Sequence, residues 1–226
     1  MPLGGRPILC LVTDRRLARG PLPARVAAAV AGGVDLVQIR EKDLDGEPLA
    51  RLVEAVQRAL RGTGARVIVN RRLDVAMATG ADGVHLGWDA VGPADARALL
   101  GPGALVGVST HDPDEALAAA GDPAVDYVQI APVLPPRSKP AGRPALGLAV
   151  LERLGEAPRP VLAQGGLDAG HAAAAVSAGA AGVAVTGAIL DARDPREAAA
   201  RIRRRLDAAS AARAATGAKA PGPTGR

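Results

Sequence analysis

The stretch Val34-Asp35-Leu36-Val37-Gln38-Ile39-Arg40-Glu41-Lys42 decides the fold, together with what lies on either side of it. Its first part is a short apolar, β-branched run, typical of a buried strand, and charged residues begin directly after Ile39. The glycine pair Gly32-Gly33 ends a predicted helix just before the stretch, and an amphipathic helical pattern over residues 47–60 follows it. The stretch is therefore one helix–strand–helix step of an alternating α/β pattern.

The same step recurs along the whole chain. Strict alternation of strands and helices predicts a parallel sheet with right-handed crossovers, and eight such units predict closure into a single (β/α)8 TIM barrel. The alternative is an open doubly wound sheet, for which we expect a glycine-rich fingerprint after the first strand, and Thr13-Asp14-Arg15-Arg16 has none. The predicted strands cover residues 8–13, 34–39, 66–69, 82–86, 105–108, 127–130, 161–163 and 182–185.

Composition indicates one domain in a reducing compartment. No linker or change of composition divides the 226 residues, so we predict a barrel domain over residues 1–209 and a disordered, low-complexity basic tail over residues 210–226. The single cysteine, Cys10, lies in a predicted strand and excludes an intrachain disulfide. Without a signal-peptide pattern at the start of the sequence, this predicts a cytoplasmic location. No apolar run approaches the length of a bilayer, so no membrane partner is expected.

The charge favours small phosphorylated ligands over nucleic acid. The net charge is +5, and three of the positive charges lie in the predicted tail, which has no acid. The chain has no Phe, one Trp and one Tyr, too few aromatic rings for a base-stacking surface. We therefore predict phosphorylated small-molecule substrates and no nucleic-acid partner, and the sequence leaves the oligomeric state open.

Cationic and polar residues follow several predicted strands at their carboxyl ends. In a closed barrel these ends meet at one mouth, so residues far apart in sequence become neighbours. Arg40 and Lys42 follow the second strand, and Lys139 lies in a proline-rich loop after the sixth. Three cations at one mouth repel one another unless an anion joins them, which predicts binding of a diphosphate. Neutral polar residues at neighbouring strand ends complete this cationic subsite: Gln38, Asn70 and Ser109.

Glycines at the last two strand ends predict a second anion subsite. Gly165-Gly166 follows the seventh strand and Thr186-Gly187 follows the eighth. TIM barrels bind a monophosphate through backbone N–H groups at these positions, although glycine is also common in ordinary turns. At the fifth strand end, His111 is a candidate general acid–base, and its alternative role is in the start of the following helix.

Several motifs occur in the order QIREK, VNRRLDVAMATGADGVHLG, GVSTH, DYVQIAPVLPPRSKP and QGGL. Together they resemble the thiamine-phosphate synthase family over roughly residues 8–206. The resemblance implies a transferase that joins hydroxymethylpyrimidine diphosphate to thiazole phosphate with Mg²⁺, releasing diphosphate and forming thiamine phosphate. No protein nucleophile is implied, since cations stabilise the departing diphosphate.

The resemblance also assigns roles to particular residues. The residues implied to hold the pyrimidine and its diphosphate are Gln38, Arg40, Lys42, Asn70, Ser109 and Lys139. We predict that the catalytic residues are Arg40, Lys42, Ser109, Lys139 and His111. The residues implied to hold the thiazole phosphate through their backbone are Gly165, Gly166, Val185 and Thr186.

Two departures from the family pattern concern the metal. The usual Asn-Asp-Arg appears as Asn70-Arg71-Arg72, and the second usual metal acid is replaced by Ala90. Asp89 is then the candidate metal ligand that remains beside this position. Since Mg²⁺ prefers carboxylates together with phosphates, we predict that Arg71 takes part in substrate binding, with its guanidinium beside the diphosphate.

These departures keep two alternatives open. A thiazole tautomerase of the same superfamily lacks the metal acids, and its catalytic histidine matches His111. A non-catalytic paralogue that only binds thiazole phosphate is the other alternative. Lys42 and Lys139 favour the synthase, whereas Arg71 and Ala90 favour the alternatives.

Overall fold

Eight parallel strands form a closed barrel in the computed structural model, which describes residues 5–87, 89–135 and 143–215. Each strand pairs with the next one along the chain, and β8 pairs with β1, with Ile8 opposite Gly182. The predicted (β/α)8 barrel is confirmed. The strands are β1 (Ile8–Val12), β2 (Leu36–Ile39), β3 (Arg66–Asn70), β4 (Gly83–Leu86), β5 (Leu105–Thr110), β6 (Tyr127–Ile130), β7 (Val161–Gln164) and β8 (Gly182–Val185).

The helices surround the barrel and follow the strands in order. A 3₁₀ turn at Arg15–Leu17 precedes the first helix. The helices are α1 (Leu22–Ala31), α2 (Gly46–Ala59), α3 (Leu73–Thr79), α4 (Pro93–Leu100), α5 (Pro113–Gly121), α6 (Val150–Leu154), α7 (Ala169–Ser177), α8 (Gly187–Leu190) and α9 (Pro195–Ala215). Within the described ranges, no helix has the length and apolar character needed to cross a membrane.

The last helix is longer than predicted. The sequence pattern placed its end at Ala209, and this is wrong, because α9 continues to Ala215. Alanine and arginine are strong helix formers, and Arg213 Nη1 donates to the carbonyl oxygen of Val176 in α7 at 2.8 Å. The predicted tail therefore begins with helix, and residues 216–226 lie outside the described residues.

Alternate strand residues fill the inside of the barrel. The interior is lined by a buried apolar cluster of Ile8, Cys10, Val12, Leu36, Ile68, Leu105, Tyr127, Leu162 and Ala184. Burial raises the pKa of the Cys10 thiol, as expected for a core cysteine. Tyr127 lies directly over Gly107 of the neighbouring strand, where an added Cβ would be 2.1 Å from the ring carbon Cζ. Only glycine at this position leaves room for the ring.

The amino-terminal ends of the strands, here called the bottom rim, are tied together by three aspartates. Asp35, Asp82 and Asp126 directly precede β2, β4 and β6. Each carboxylate accepts a backbone N–H from the preceding strand, so it links two neighbouring strands. The donors are Leu9 at 2.8 Å, Val67 at 2.7 Å and Val106 at 2.7 Å.

Each of these aspartates also binds an arginine. Arg203 Nη1 of α9 lies 2.9 Å from Asp35, and the Arg203 side chain is only 8% exposed. The other two pairs are Arg66 with Asp82 at 2.7 Å and Arg97 with Asp126 at 2.5 Å. At the bottom rim, carboxylate and guanidinium charges are thus matched within the chain.

Candidate active site

A chain of side-chain amides leads from the barrel interior to the carboxyl ends of the strands, here called the mouth. Gln129 Nε2 donates to Gln38 Oε1 at 3.0 Å, and Gln38 Nε2 donates to Asn70 Oδ1 at 2.9 Å. Gln129 and Gln38 are buried, while Asn70 is partly exposed. Because an amide oxygen only accepts, this direction leaves the Nδ2 group of Asn70 to donate to a ligand.

A second hydrogen-bonded chain ends at Ser109. His85 Nδ1 lies 2.8 Å from the Tyr127 hydroxyl oxygen, and His85 Nε2 lies 2.7 Å from Ser109 Oγ. Burial lowers the pKa of His85 to about 3, with a smaller contribution from the charge of Arg40, so the ring is neutral near pH 7. His85 is thus a hydrogen-bonded residue of the barrel interior.

The buried hydroxyl of Tyr127 fixes the direction of this chain. Burial raises the pKa of Tyr127, so its hydroxyl keeps its proton and needs an acceptor, and His85 Nδ1 lies at hydrogen-bond distance. The neutral ring then carries its own proton on Nε2 and donates it to Ser109 Oγ. The Ser109 hydroxyl proton remains available to donate to a ligand at the mouth. Ser109 thus presents a donor of the kind that an anion requires.

Arg40 is held at the mouth by its backbone. Its N–H donates to Thr13 Oγ1 at 3.0 Å, and Thr13 Oγ1 donates to the buried Glu41 carboxylate at 2.6 Å. Glu41 also accepts the backbone N–H of Arg15, which joins the loop after β1 to the end of β2. Burial lowers the pKa of Arg40, and no carboxylate of the described residues forms an ion pair with its guanidinium. A half-buried cation in this state favours an anionic ligand.

The other arginines beside Arg40 are compensated within the chain. Arg15 binds Asp43 through both Nη atoms at 2.7 Å and also contacts Glu41, and Arg16 Nε lies 2.9 Å from Asp14. These pairs raise the pKa of Arg15 and Arg16 through their hydrogen bonds to the carboxylates. They are solvated ion pairs that hold the loop after β1.

Arg71 lies in a turn directly after β3. Its guanidinium contacts the carboxylate of Asp89, and its side chain is 46% exposed. Its charge is one of those that lower the pKa of Arg40, which places the two cations in the same part of the mouth. The next residue, Arg72, is bound by Asp74 and Asp45 instead.

The predicted glycine subsite forms a cavity of about 420 Å³ at the ends of β7 and β8. Gly165 and Gly166 have φ values of 98° and 64°, in the region that favours glycine. A Cβ on Gly166 would lie 2.5 Å from the carbonyl oxygen of Pro135, so a side chain has no space there. The structure brings together all four residues predicted for this subsite, since the cavity is lined by Leu17, Gln164, Gly165, Gly166, Leu167, Asp168, Ala184, Val185, Thr186, Gly187, Ala188 and Asp191.

His111 directly precedes Asp112, the residue that caps α5. Its ring Nδ1 lies 2.6 Å from the carbonyl oxygen of Ala131, which can only accept, so Nδ1 carries a proton. The imidazole is therefore bound to the chain after β6 and not to the helix start. Its role as an acid–base stays a prediction.

The described residues fit a protein-bound metal ion poorly. They contain no group of three or more His, Cys, Asp or Glu side chains arranged to hold a metal. Asp89, the predicted ligand, is already paired with Arg71. Magnesium in proteins is usually held by one or two free carboxylates together with phosphates.

Comparison with known proteins identifies the family. The family model described as thiamine monophosphate synthase matches residues 9–189. The thiamine-phosphate synthase of Acidothermus cellulolyticus is 42% identical over 204 residues, covering 89% of this chain and 96% of that protein. This chain belongs to the thiamine monophosphate synthase family.

Other members of this family agree in sequence and fold. The thiamine-phosphate synthase of Thermobifida fusca is 43% identical over 206 residues, covering 90% of this chain and 94% of that protein. The solved structure of thiamine phosphate pyrophosphorylase from Pyrococcus furiosus is 30% identical, with a TM-score of 0.79, and covers 89% of this chain and 96% of that one. The resemblance drawn from the sequence motifs is confirmed.

The structure brings together several of the residues that the thiamine monophosphate synthase resemblance implied. Gln38, Asn70 and Ser109 are connected to the interior chains described above, and Lys42 is exposed in the turn after Glu41. Lys139 lies outside the described residues, so its predicted contact with a diphosphate stays a prediction.

Sequence reasoning missed Gln129, Tyr127 and Glu41 as parts of the site. Gln129 and Tyr127 alternate along β6 as polar or large residues on the inner face, a signal visible in the motif DYVQIAP. Glu41 lies in sequence between Arg40 and Lys42. Its buried carboxylate accepts the Thr13 hydroxyl and the Arg15 backbone N–H.

Proposed function

We propose that this protein joins hydroxymethylpyrimidine diphosphate to thiazole phosphate and forms thiamine phosphate, with release of diphosphate. The observation that carries the proposal is the pairing of two anion subsites at one mouth. One is the half-buried Arg40 beside the donors of Asn70 and Ser109, and the other is the glycine cavity after β7 and β8. The named relatives, similar over most of their length, support the same transferase.

The reaction exchanges one bond for another. The C–O bond between the pyrimidine methylene and the diphosphate breaks, and its electron pair leaves with the diphosphate oxygen. The lone pair of the thiazole nitrogen then forms the new C–N bond at the same methylene carbon. No proton is transferred, so a protein nucleophile or base is not required.

The residues of the mouth act on the developing charge of the leaving group. Arg40 supplies a fixed positive charge, and Ser109 supplies a hydroxyl proton that His85 cannot accept because its Nε2 already carries one. Preorganised donors of this kind stabilise the separating charge in the transition state. Asn70, oriented by Gln38, donates to the pyrimidine side of the substrate.

The glycine cavity orients the second substrate. Backbone N–H groups of Gly165 and Gly166 approach a phosphate closely because no side chain stands between them and the cavity. Holding the thiazole by its phosphate places its nitrogen toward the middle of the mouth, where the methylene cation forms. Positioning two substrates in this way contributes to rate by removing the entropy cost of their encounter.

The direct test is an assay of the purified full-length protein with both substrates and Mg²⁺, followed by chromatographic detection of thiamine phosphate. Formation of thiamine phosphate and diphosphate in equal amounts is expected. Omission of either substrate must abolish it. Failure to form product at any Mg²⁺ concentration contradicts the proposal.

The two alternatives remain hypotheses that the relatives do not support. A tautomerase would isomerise a thiazole carboxylate phosphate and lose that activity in His111→Ala. A binding paralogue would retain thiazole phosphate without turnover. We further propose that the synthase reaction takes place in the cytoplasm, in keeping with the free, buried cysteine.

A further inference from the structure

The carboxylate of Asp89, the predicted metal ligand, is bound by the guanidinium of Arg71. The described residues hold no cluster of acids and histidines around it. Bringing Mg²⁺ to Asp89 would place a divalent cation next to a guanidinium with one carboxylate to compensate both. The mouth thus presents a cationic side chain at the position where a metal would bring its charge.

The backbone of Arg71 is held in an unusual conformation. Its φ is 65°, and no other non-glycine residue in the described chain has a positive φ. For a residue with a Cβ, this left-handed region is unfavourable, so the surroundings must stabilise it. The turn is held by the Arg71 N–H donating to the His85 carbonyl at 2.8 Å and by the Arg72 N–H donating to the Asn70 carbonyl at 2.8 Å.

This turn joins Arg71 to the rest of the site. The carbonyl of His85 holds the Arg71 backbone, and the ring of the same residue holds Ser109. The side chain of Arg71 is half exposed, so it is free to exchange partners, and its charge already acts on Arg40. A planar guanidinium fork fits two phosphate oxygens as well as it fits a carboxylate.

We propose that Arg71 leaves Asp89 when a diphosphate enters, binds it beside Arg40, and supplies the neutralising charge that a divalent cation would otherwise bring. Diphosphate binding by this protein then needs no divalent cation. Asp89 acts as the resting counter-ion of Arg71. The inference rests on the proposed function for the identity of the diphosphate ester, and inorganic pyrophosphate tests it separately.

The test is calorimetric titration of the full-length protein with inorganic pyrophosphate, once in EDTA and once in MgCl₂. The variants are Arg71→Asn, Arg71→Asp and Asp89→Asn, with Arg72→Asn as the matched control. Asparagine and aspartate tolerate a positive φ better than most residues, so the turn is kept. The control removes the same charge one residue away, where Asp74 and Asp45 hold the guanidinium. Thermal melts followed by circular dichroism check that each variant is folded.

The expected results show whether Asp89 acts as the counter-ion of Arg71 or as a ligand of Mg²⁺. The wild type binds pyrophosphate in EDTA, Arg71→Asn binds it about tenfold or more weakly, and Arg72→Asn stays within about twofold. Arg71→Asp, which places two carboxylates together, binds only when Mg²⁺ is present. Asp89→Asn binds more tightly than the wild type in EDTA, because the guanidinium no longer has to leave a carboxylate.

Three results overturn the inference. They are loss of wild-type binding in EDTA, an Arg71→Asn variant that binds like the wild type, or an Asp89→Asn variant whose binding weakens with Mg²⁺ present, as removal of a metal ligand predicts. The synthase assay is read independently. If no thiamine phosphate forms under any condition, the proposed function fails, whereas pyrophosphate binding still decides the role of Arg71.

Discussion

The bottom rim and the mouth of this barrel use the same types of side chain, arginine and aspartate, for different purposes. At the bottom rim, Asp35 compensates Arg203 and at the same time binds a backbone N–H of the neighbouring strand. At the mouth, Arg40 is half-buried and has no ion-pair partner among the described residues, and the half-exposed Arg71 pairs there with Asp89 alone.

The difference shows where charge serves stability and where it serves binding. A buried guanidinium whose carboxylate is supplied by the chain makes the fold sensitive to the loss of either partner, because the remaining charge is buried with less compensation. A partly buried guanidinium without a carboxylate partner lowers the stability of the fold slightly, and it is available to bind an anionic ligand. The active face of a TIM barrel lies at the carboxyl ends of its strands. In this barrel that face is the one at which Arg40 has no ion-pair partner among the described residues, whereas the arginines of the bottom rim are paired.

The largest effect is expected from breaking the bottom rim. Asp35→Ala removes the acceptor of the Leu9 N–H and the partner of Arg203 Nη1, while Arg203 Nη2 keeps Asp207 and the Pro7 carbonyl. We expect the free energy of unfolding to fall by about 3 kcal/mol, measured by urea denaturation, because a backbone donor and a guanidinium both lose an acceptor. Asp114→Ala, which breaks a surface pair with Arg153, is the control and should cost less than about 1 kcal/mol. Equal losses in the two variants would contradict the role of the rim.

Removal of a cation from the mouth should lower activity and leave stability intact. Arg40→Gln is expected to lower kcat/KM about 100-fold, as for loss of one preorganised transition-state donor, with the melting temperature unchanged or raised. Arg66→Gln at the bottom rim is the matched control, since it loses the ion pair with Asp82 and should lower stability but leave kcat/KM intact. A stability loss in Arg40→Gln without a loss of activity would reverse the assignment.

The buried histidine between the two faces predicts a pH dependence of stability. The pKa of His85 is lowered from 6.5 to about 3 by burial, so the unfolded chain binds this proton more readily than the folded one. Stability contributed by the neutral ring is complete above pH 6.5 and falls, by about 1.4 kcal/mol per pH unit, as the pH drops towards 3.

Denaturation curves between pH 7 and pH 4 for the wild type and His85→Gln measure this contribution as a difference in slope. Parallel curves for the wild type and His85→Gln would show that His85 does not titrate between the two states.

The smallest effect is expected at the inner end of the Ser109 chain. Tyr127→Phe keeps the ring over Gly107 but leaves His85 Nδ1 without its donor, which should cost about 1 kcal/mol of unfolding free energy. Because the histidine is then free to take the other tautomer and accept the serine proton, we expect pyrophosphate binding to weaken several-fold. An unchanged affinity in Tyr127→Phe would show that Ser109 does not depend on this chain for its orientation.

The sequence predicts the barrel and most residues of the mouth, because both follow from local patterns. Strand and helix periods identify eight units, and the carboxyl ends of several of these units carry residues of the site, as Gln38 and Ser109 show. The partners of these residues could not be predicted, since the barrel register brings them together from far apart. Gln38 meets Gln129, 91 positions away in sequence.

The pairing of Arg71 with Asp89 could not be predicted from the sequence either. Its substitution for an acid is visible in the motif, but its left-handed backbone and its contact with Asp89 depend on the turn between β3 and α3. The extension of α9 depends on docking of Arg213 against α7, a contact that helix propensity alone does not contain.

When the strands are taken in the four pairs β1–β2, β3–β4, β5–β6 and β7–β8, an aspartate of the bottom rim links, or latches, each of the first three pairs and not the last. Asp35, Asp82 and Asp126 latch β1 to β2, β3 to β4 and β5 to β6, whereas β8 is preceded by Ala180 and Ala181. The glycine cavity lies at the opposite end of the unlatched pair. A phosphate held there would add to the backbone pairing of β7 and β8 a link at the mouth, supplied by the substrate and not by a carboxylate of the chain. Amide exchange in β7 and β8 should therefore slow more on thiazole phosphate binding than exchange in the latched pairs.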